Sequence, residues 1–169
     1  MSKNVYRISA EPRGRDYKDL LTEGLRHCDQ FLFVDVPEPR FGPNDTSFRP
    51  GSRDLVRELE PHLLRIEKSK SWPGTRLGEM PGVDVYARIY RFRLDSGTVE
   101  VLTRVTDRLY AWRWPELPAD LCLVRPDGEA WLVNIAADEE SYLLINSKEA
   151  DQLAKAIPQL MLRRQYQKH

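Results

Sequence analysis

Leu121-Cys122-Leu123-Val124 and Ala130-Trp131-Leu132-Val133-Asn134-Ile135-Ala136 are two apolar runs joined by Arg125-Pro126-Asp127-Gly128-Glu129. Proline presets φ at about −65° for the first corner of a turn, aspartate can bond its own backbone, and glycine accepts positive φ. A turn of that composition between apolar runs makes a β-hairpin. A second polar turn, Asp138-Glu139-Glu140-Ser141, precedes Tyr142-Leu143-Leu144-Ile145. Residues 121–145 therefore read as a three-stranded antiparallel meander within a larger sheet.

Upstream, helix and strand signals alternate. Residues 4–8 read as a short strand, broken by Glu11-Pro12-Arg13-Gly14. From Asp16, the residues Tyr17, Leu20, Leu21, Leu25 and Cys28 recur at helical spacing. Phe31-Leu32-Phe33-Val34-Asp35-Val36 is apolar at nearly every position, the pattern of a central strand covered on both faces. Ser52 is placed to cap a short helix with the stripe Leu55, Val56 and Leu59, which Pro61 ends. Residues 63–70 read as an edge strand guarded by Lys68 and Lys70. Residues 83–94 read as a long strand rich in aromatic and β-branched side chains.

Asp95 or Ser96 caps a helix whose buried face is Val99, Leu102, Val105 and Leu109. The final helix starts at Ser147, buries Leu153, Ile157 and Leu160, and kinks at Pro158. The expected fold is one α+β domain over residues 1–169. It has a mixed, mainly antiparallel sheet, a meander in its C-terminal half, helices packed on it, and frayed ends at 1–10 and 163–169.

The totals narrow the function classes. Lysine plus arginine is 26 and aspartate plus glutamate is 26, so bulk attraction to nucleic acid or anionic membrane is not built in. No stretch approaches the ~18 apolar residues of a membrane span, and residues 1–7 lack the apolar core of a signal peptide. A cytoplasmic protein is expected. Cys28 and Cys122 then read as buried free thiols, because reducing compartments disfavour disulfides.

The motifs of common chemistries are missing. His27, His62 and His169 have no second histidine or cysteine at metal spacing. His27-Cys28-Asp29 resembles a nucleophile beside its base, but adjacent helical residues point to different faces. There is no nucleophile elbow and no phosphate-binding glycine loop. Asp35, Asp84 and Asp120 all lie beside strands and are the candidates for a carboxylate pair; the bland alternative is that they meet solvent at strand ends. Arg88, Arg91, Arg93, Arg104 and Arg108, interleaved with Tyr86 and Tyr90, suit either a nucleic-acid face or arginines paired on a core strand. The zero net charge favours pairing. No catalytic residue, cofactor or metal is assigned.

Two loops stand out. Residues 37–51 hold four prolines and two glycines with Arg40, Phe41, Asp45, Phe48 and Arg49. Residues 71–82 hold Trp72 and Arg76. Stiff loops carrying an aromatic among charges have the makings of a protein-binding hot spot. Those seven side chains are the expected partner contacts, with Trp72 as an anchor whose removal spares the fold.

Trp72-Pro73-Gly74-Thr75, Leu117-Pro118-Ala119-Asp120-Leu121 and Arg125-Pro126-Asp127-Gly128 with Trp131-Leu132-Val133 resemble pieces of small uncharacterised bacterial, mostly actinobacterial, proteins. Some of these are similar in size and style to immunity proteins that neutralise polymorphic toxins. The Leu-Pro-x-Asp-Leu piece also resembles the immunity superfamily related to a yeast cell-wall regulator, although the Asn-Gly-Gly-type turn of that pattern is missing here. The resemblance implies a non-enzymatic inhibitor that occludes a toxin, and it transfers no catalytic residue. The other readings are a small cofactor-independent hydrolase or transferase using a carboxylate pair, and a regulatory or phage-derived interaction module.

Overall fold

The computed structural model of the chain describes residues 2–36, 50–79 and 81–166. Strands β1 (Asn4–Ile8), β2 (Gln30–Asp35), β3 (Leu63–Ser69), β6 (Ala87–Arg93), β7 (Ala119–Val124), β8 (Ala130–Ile135), β9 (Glu140–Ile145) and β10 (Leu162–Gln165) form one sheet. Its order is β10-β1-β9-β8-β7-β2-β6-β3. A separate hairpin joins β4 (Ser71–Trp72) to β5 (Thr75–Arg76). The helices are α1 (Arg15–Gly24), α2 (Pro50–Leu59), α3 (Ser96–Val105) and α4 (Ser147–Ala156). The fold is α+β, and each of these strand pairings is antiparallel.

The alternation of β2 divides the interior. Phe31 and Phe33 enter a large cluster with Tyr17, Leu20, Leu59, Leu102 and Leu153, side chains drawn from all four helices. Leu32 and Val34 enter a smaller cluster with Trp72, Ile89, Ala119 and Cys122. Helices therefore cover one face of the sheet, and the β4–β5 hairpin covers the other. This is why β2 is apolar on both parities. Phe31, Leu32, Phe33 and Val34 are each 0% exposed, and full burial of each stabilises the fold by about 1.5–3 kcal/mol in transfer terms. On the helical side, the Tyr17 hydroxyl donates to the Leu102 carbonyl at 2.8 Å and accepts from Trp112 Nε1 at 3.0 Å, so these two buried polar groups are paired.

Local chemistry explains the element ends and some departures from expectation. Asp95 caps α3 and forms a reciprocal box with Thr98. Asn146 and Glu149 do the same for α4. Helix α2 begins at Pro50 rather than at a Ser52 cap, since proline at a helix start has no N–H to leave orphaned. Ser52 is instead buried, and its hydroxyl donates to the Glu116 carbonyl at 3.3 Å. The long strand is confined to Ala87–Arg93, and α3 stops at Val105, leaving Leu109 in a 3-10 turn. Pro158 ends α4 instead of kinking it and opens a 3-10 turn.

Within the segments expected to fray, β1 and β10 pair with each other, Tyr6 lying opposite Arg164 and Ile8 opposite Leu162; residues 1 and 167–169 lie outside the described residues. Tyr6 and Ile8 are buried in the large cluster, which holds β1 between β10 and β9. Cys28 and Cys122 are buried free thiols. Among the described residues, no helix is long and apolar enough to cross a membrane.

Candidate functional site

The site begins with Trp72-Pro73-Gly74-Thr75. Pro73 and Gly74 occupy the turn of the β4–β5 hairpin, where Trp72 pairs with Thr75. Gly74 has φ +80°, a conformation glycine adopts freely and other residues resist. It also lies so close to β8 that a Cβ there would sit 2.7 Å from Val133 Cγ1. The hairpin is thereby pressed onto the sheet face.

Beneath it, β7 departs from regular pairing with β2. Leu32 faces Cys122, but Val34 faces Ala119, so one extra residue is inserted in β7. Asp120 stands at this bulge with φ +58°. Bulges re-aim side chains, and this one brings the Asp120 carboxylate beside Trp72. The Trp72 indole donates to Asp120 Oδ2 at 2.8 Å, and the Ala136 backbone N–H donates to Oδ1 at 3.0 Å. The Asp120 N–H donates to the Trp112 carbonyl at 2.8 Å. Burial raises the Asp120 pKa above the usual aspartate value; the bonds from Trp72 and Ala136 oppose the rise, and nearby Asp138 adds to it.

These groups border an open cleft of about 530 Å³. Its walls include Val36, Arg76, Arg113, Trp114 and Asp138. Arg76, Arg113 and Asp138 are exposed, and Trp114 is half-buried. Neither Arg76 nor Arg113 forms a side-chain ion pair or hydrogen bond among the described residues. The cleft thus offers two guanidinium groups beside an indole, over a floor fixed by the Trp72–Asp120 bond. Chemically it can accept an anionic group and stack or bury a flat one.

The expected contact residues fare differently. Arg40, Phe41, Asp45, Phe48 and Arg49 lie outside the described residues. Val36, immediately before that segment, lines the same cleft as the hairpin. Arg76 is on the cleft wall. Trp72 is only 8% exposed and belongs to the smaller core cluster, so it is a floor element and not a protruding anchor. The proline- and glycine-rich flanks suggest a loop, but the hairpin folds back over Leu32, Val34 and Ile89, and burial of the indole follows.

Asp35, Asp84 and Asp120 share none of the described clefts. Asp35 is buried in β2 opposite Arg88. Asp84 is exposed, 3.4 Å from Lys70, on a different cleft. The carboxylate that does share the Asp120 cleft is Asp138, on the turn after β8. Arg113 and Asp138 are not among the expected contacts, whereas Trp112 and Trp114, tryptophans near a loop, suit a partner surface by sequence; the alternation of Trp112-Arg113-Trp114 sends Trp112 into the core and leaves its neighbours outside.

Other candidates resolve as structure. The His27 ring stacks on Trp131 at 5.4 Å, and its Nδ1 lies 3.2 Å from Glu149. Burial pushes the Cys28 thiol up to about 12, the opposite of an activated nucleophile. Arg91, Arg93 and Arg108 pair with Glu67, Asp95 and Glu11 at 3.2, 3.4 and 3.2 Å, and Arg104 pairs with Glu58. Among the described residues, no three histidine, cysteine or acidic side chains are grouped to hold a metal ion. Comparison with known proteins finds no matching family model, curated protein or solved structure.

Proposed function

We propose that this chain is a protein-binding protein of the cytoplasm, an immunity-type inhibitor, and that it grips an acidic element of its partner at the Arg76–Arg113–Trp114 cleft. The observation that carries this reading is the pair of exposed arginines, without ion pairs among the described residues, beside a half-buried tryptophan. Arginine and tryptophan dominate interface hot spots because each covers much area and offers directional donors. The Trp72–Asp120 bond supports the reading by fixing the hairpin that carries Arg76, so little order is lost on docking.

A second reading rests on the carboxylates. Asp120 and Asp138 line one cleft, and the raised pKa of Asp120 suits a general acid. Both Asp120 oxygens already accept hydrogen bonds from the protein, which favours binding over catalysis.

The test is isolation of the partner from the native host, followed by titration with purified variants. Arg76→Glu and Arg113→Glu should each weaken a hot-spot contact by about 2 kcal/mol, roughly thirtyfold in Kd, with the fold intact. Unchanged affinity in both variants would displace the interface from this cleft. Saturable turnover of a small molecule that is lost in Asp138→Asn would favour the enzyme.

A further inference from the structure

Strand β3 is an edge of the eight-stranded sheet: it pairs with β6, and no described strand lies on its other side. An edge presents a row of backbone N–H and C=O groups to whatever approaches. Two of the large exposed hydrophobic side chains of the described chain, Leu64 and Ile66, sit on this strand, each 49% exposed. Ile66 lies opposite Tyr90, on the face covered further in by the helices. Arg65 and Glu67 flank it on the opposite face. There Arg91 Nε donates to Glu67 Oε1 at 3.2 Å, and Arg65 Nε donates to the same oxygen.

We propose that β3 is a self-docking edge, and that two copies of this chain join by antiparallel pairing of their β3 strands about a two-fold axis at Ile66. The charges select both the occupant and the register. Pairing about Ile66 sets Arg65 of each copy opposite Glu67 of the other, with Ile66 against Ile66. Moving the axis to Arg65 sets arginine against arginine, and moving it to Glu67 sets glutamate against glutamate. Like charges directly opposite destabilise a sheet, whereas opposite charges and apolar pairs stabilise it. A slip by one residue would turn Ile66 to the other face and break the helical layer shared by the two copies. Lys68 comes opposite the bulged Leu63–Arg65 end of the second copy's strand, where its alkyl stem covers Leu64 and its ammonium stays in water. The same lysine opposes unrelated apolar strands, so the edge closes as a two-fold pair and does not grow.

The experiment uses the full chain. Its mass in solution, measured by light scattering over a dilution series, should report a dimer that dissociates on dilution. Arg65→Glu and Glu67→Arg, each alone, set like charges opposite twice and should weaken the dimer by about tenfold or more. Mixing the two variants should restore it as a heterodimer. One copy then carries glutamate at both positions and the other carries arginine at both, so opposite charges meet twice. Ile66→Cys should cross-link to its own counterpart on oxidation, whereas Lys68→Cys, which comes opposite that bulged end, should not. The native Cys28 and Cys122 are buried and will not interfere. A monomer at every concentration overturns the proposal. A dimer that neither responds to the charge variants nor cross-links through Ile66→Cys overturns it equally, and if the charge variants do not fold the cross-link decides.

Discussion

The Trp72 indole donates to Asp120 across a separation of 48 residues, at 2.8 Å and in a buried position. The same carboxylate accepts from Ala136 N–H, so the hairpin, the β7 bulge and the turn after β8 meet at one side chain. The arrangement is costly to break from one side. Removing one partner leaves a buried acceptor unsatisfied, which costs more than the net worth of an ordinary hydrogen bond.

Trp72→Phe keeps most of the ring and removes the donor. It should destabilise the fold by about 1–3 kcal/mol. Trp72→Ala also opens a cavity and should cost about 3–5 kcal/mol. Urea unfolding with an unchanged m-value measures both. A Trp72→Phe variant as stable as the wild type would show that the bond does not hold the hairpin.

Gly74 and Gly128 make a matched comparison. Gly128 has φ +90° in the meander turn, and a Cβ there would meet nothing within 4 Å. Gly128→Ala should therefore cost strain alone, about 1 kcal/mol. Gly74→Ala meets strain and Val133 together, so overpacking should add about 1–3 kcal/mol more. Equal melting temperatures for the two variants would contradict the close approach of hairpin and sheet.

These positions also explain what the sequence discloses. Gly128 belongs to a local signal, with turn residues bracketed by apolar runs, and the meander follows from it. The two-faced apolarity of β2 likewise announces burial between two layers. Trp72 is different. Its neighbours are turn formers, and the apolar sheet face and the carboxylate that receive the indole lie far away along the chain. The end strands share this difficulty. Leu162-Arg163-Arg164-Gln165 has the composition of a solvated tail, yet it pairs with β1 at the other end of the chain. Arg76 is local and legible as a contact residue. Asp138 becomes part of the site only once the turn after β8 is placed beside the bulge at Asp120.

Cys28 and Cys122 should be inert in the native protein. Both are buried, and burial pushes both thiols up to about 12, so almost no thiolate exists near neutral pH. A chromogenic disulfide reagent should label them only as fast as the fold opens, and labelling should accelerate in urea. Rapid stoichiometric labelling of Cys28 in the folded protein would contradict this and restore it as a nucleophile.

Asp95 supplies a pH-dependent prediction of definite sign. Its carboxylate accepts from Thr98 N–H at 2.9 Å at the start of α3, and that bond, with Arg93 and His62 nearby, holds its pKa below the ordinary value of 3.8. A carboxyl group whose pKa is lower folded than unfolded stabilises the fold fully above the unfolded value. The contribution is lost as pH falls through the folded value. Asp95→Ala should therefore cost about 1 kcal/mol at neutral pH, the usual worth of a cap. The gap between wild type and variant should narrow as pH falls below 3.8. Asp95→Asn, which can still accept from Thr98, should lose little stability and much of the pH dependence. Stability curves for the three proteins between acid and neutral pH test the assignment. A gap between wild type and Asp95→Ala that stays constant over that range would mean the carboxylate charge contributes nothing at the start of α3.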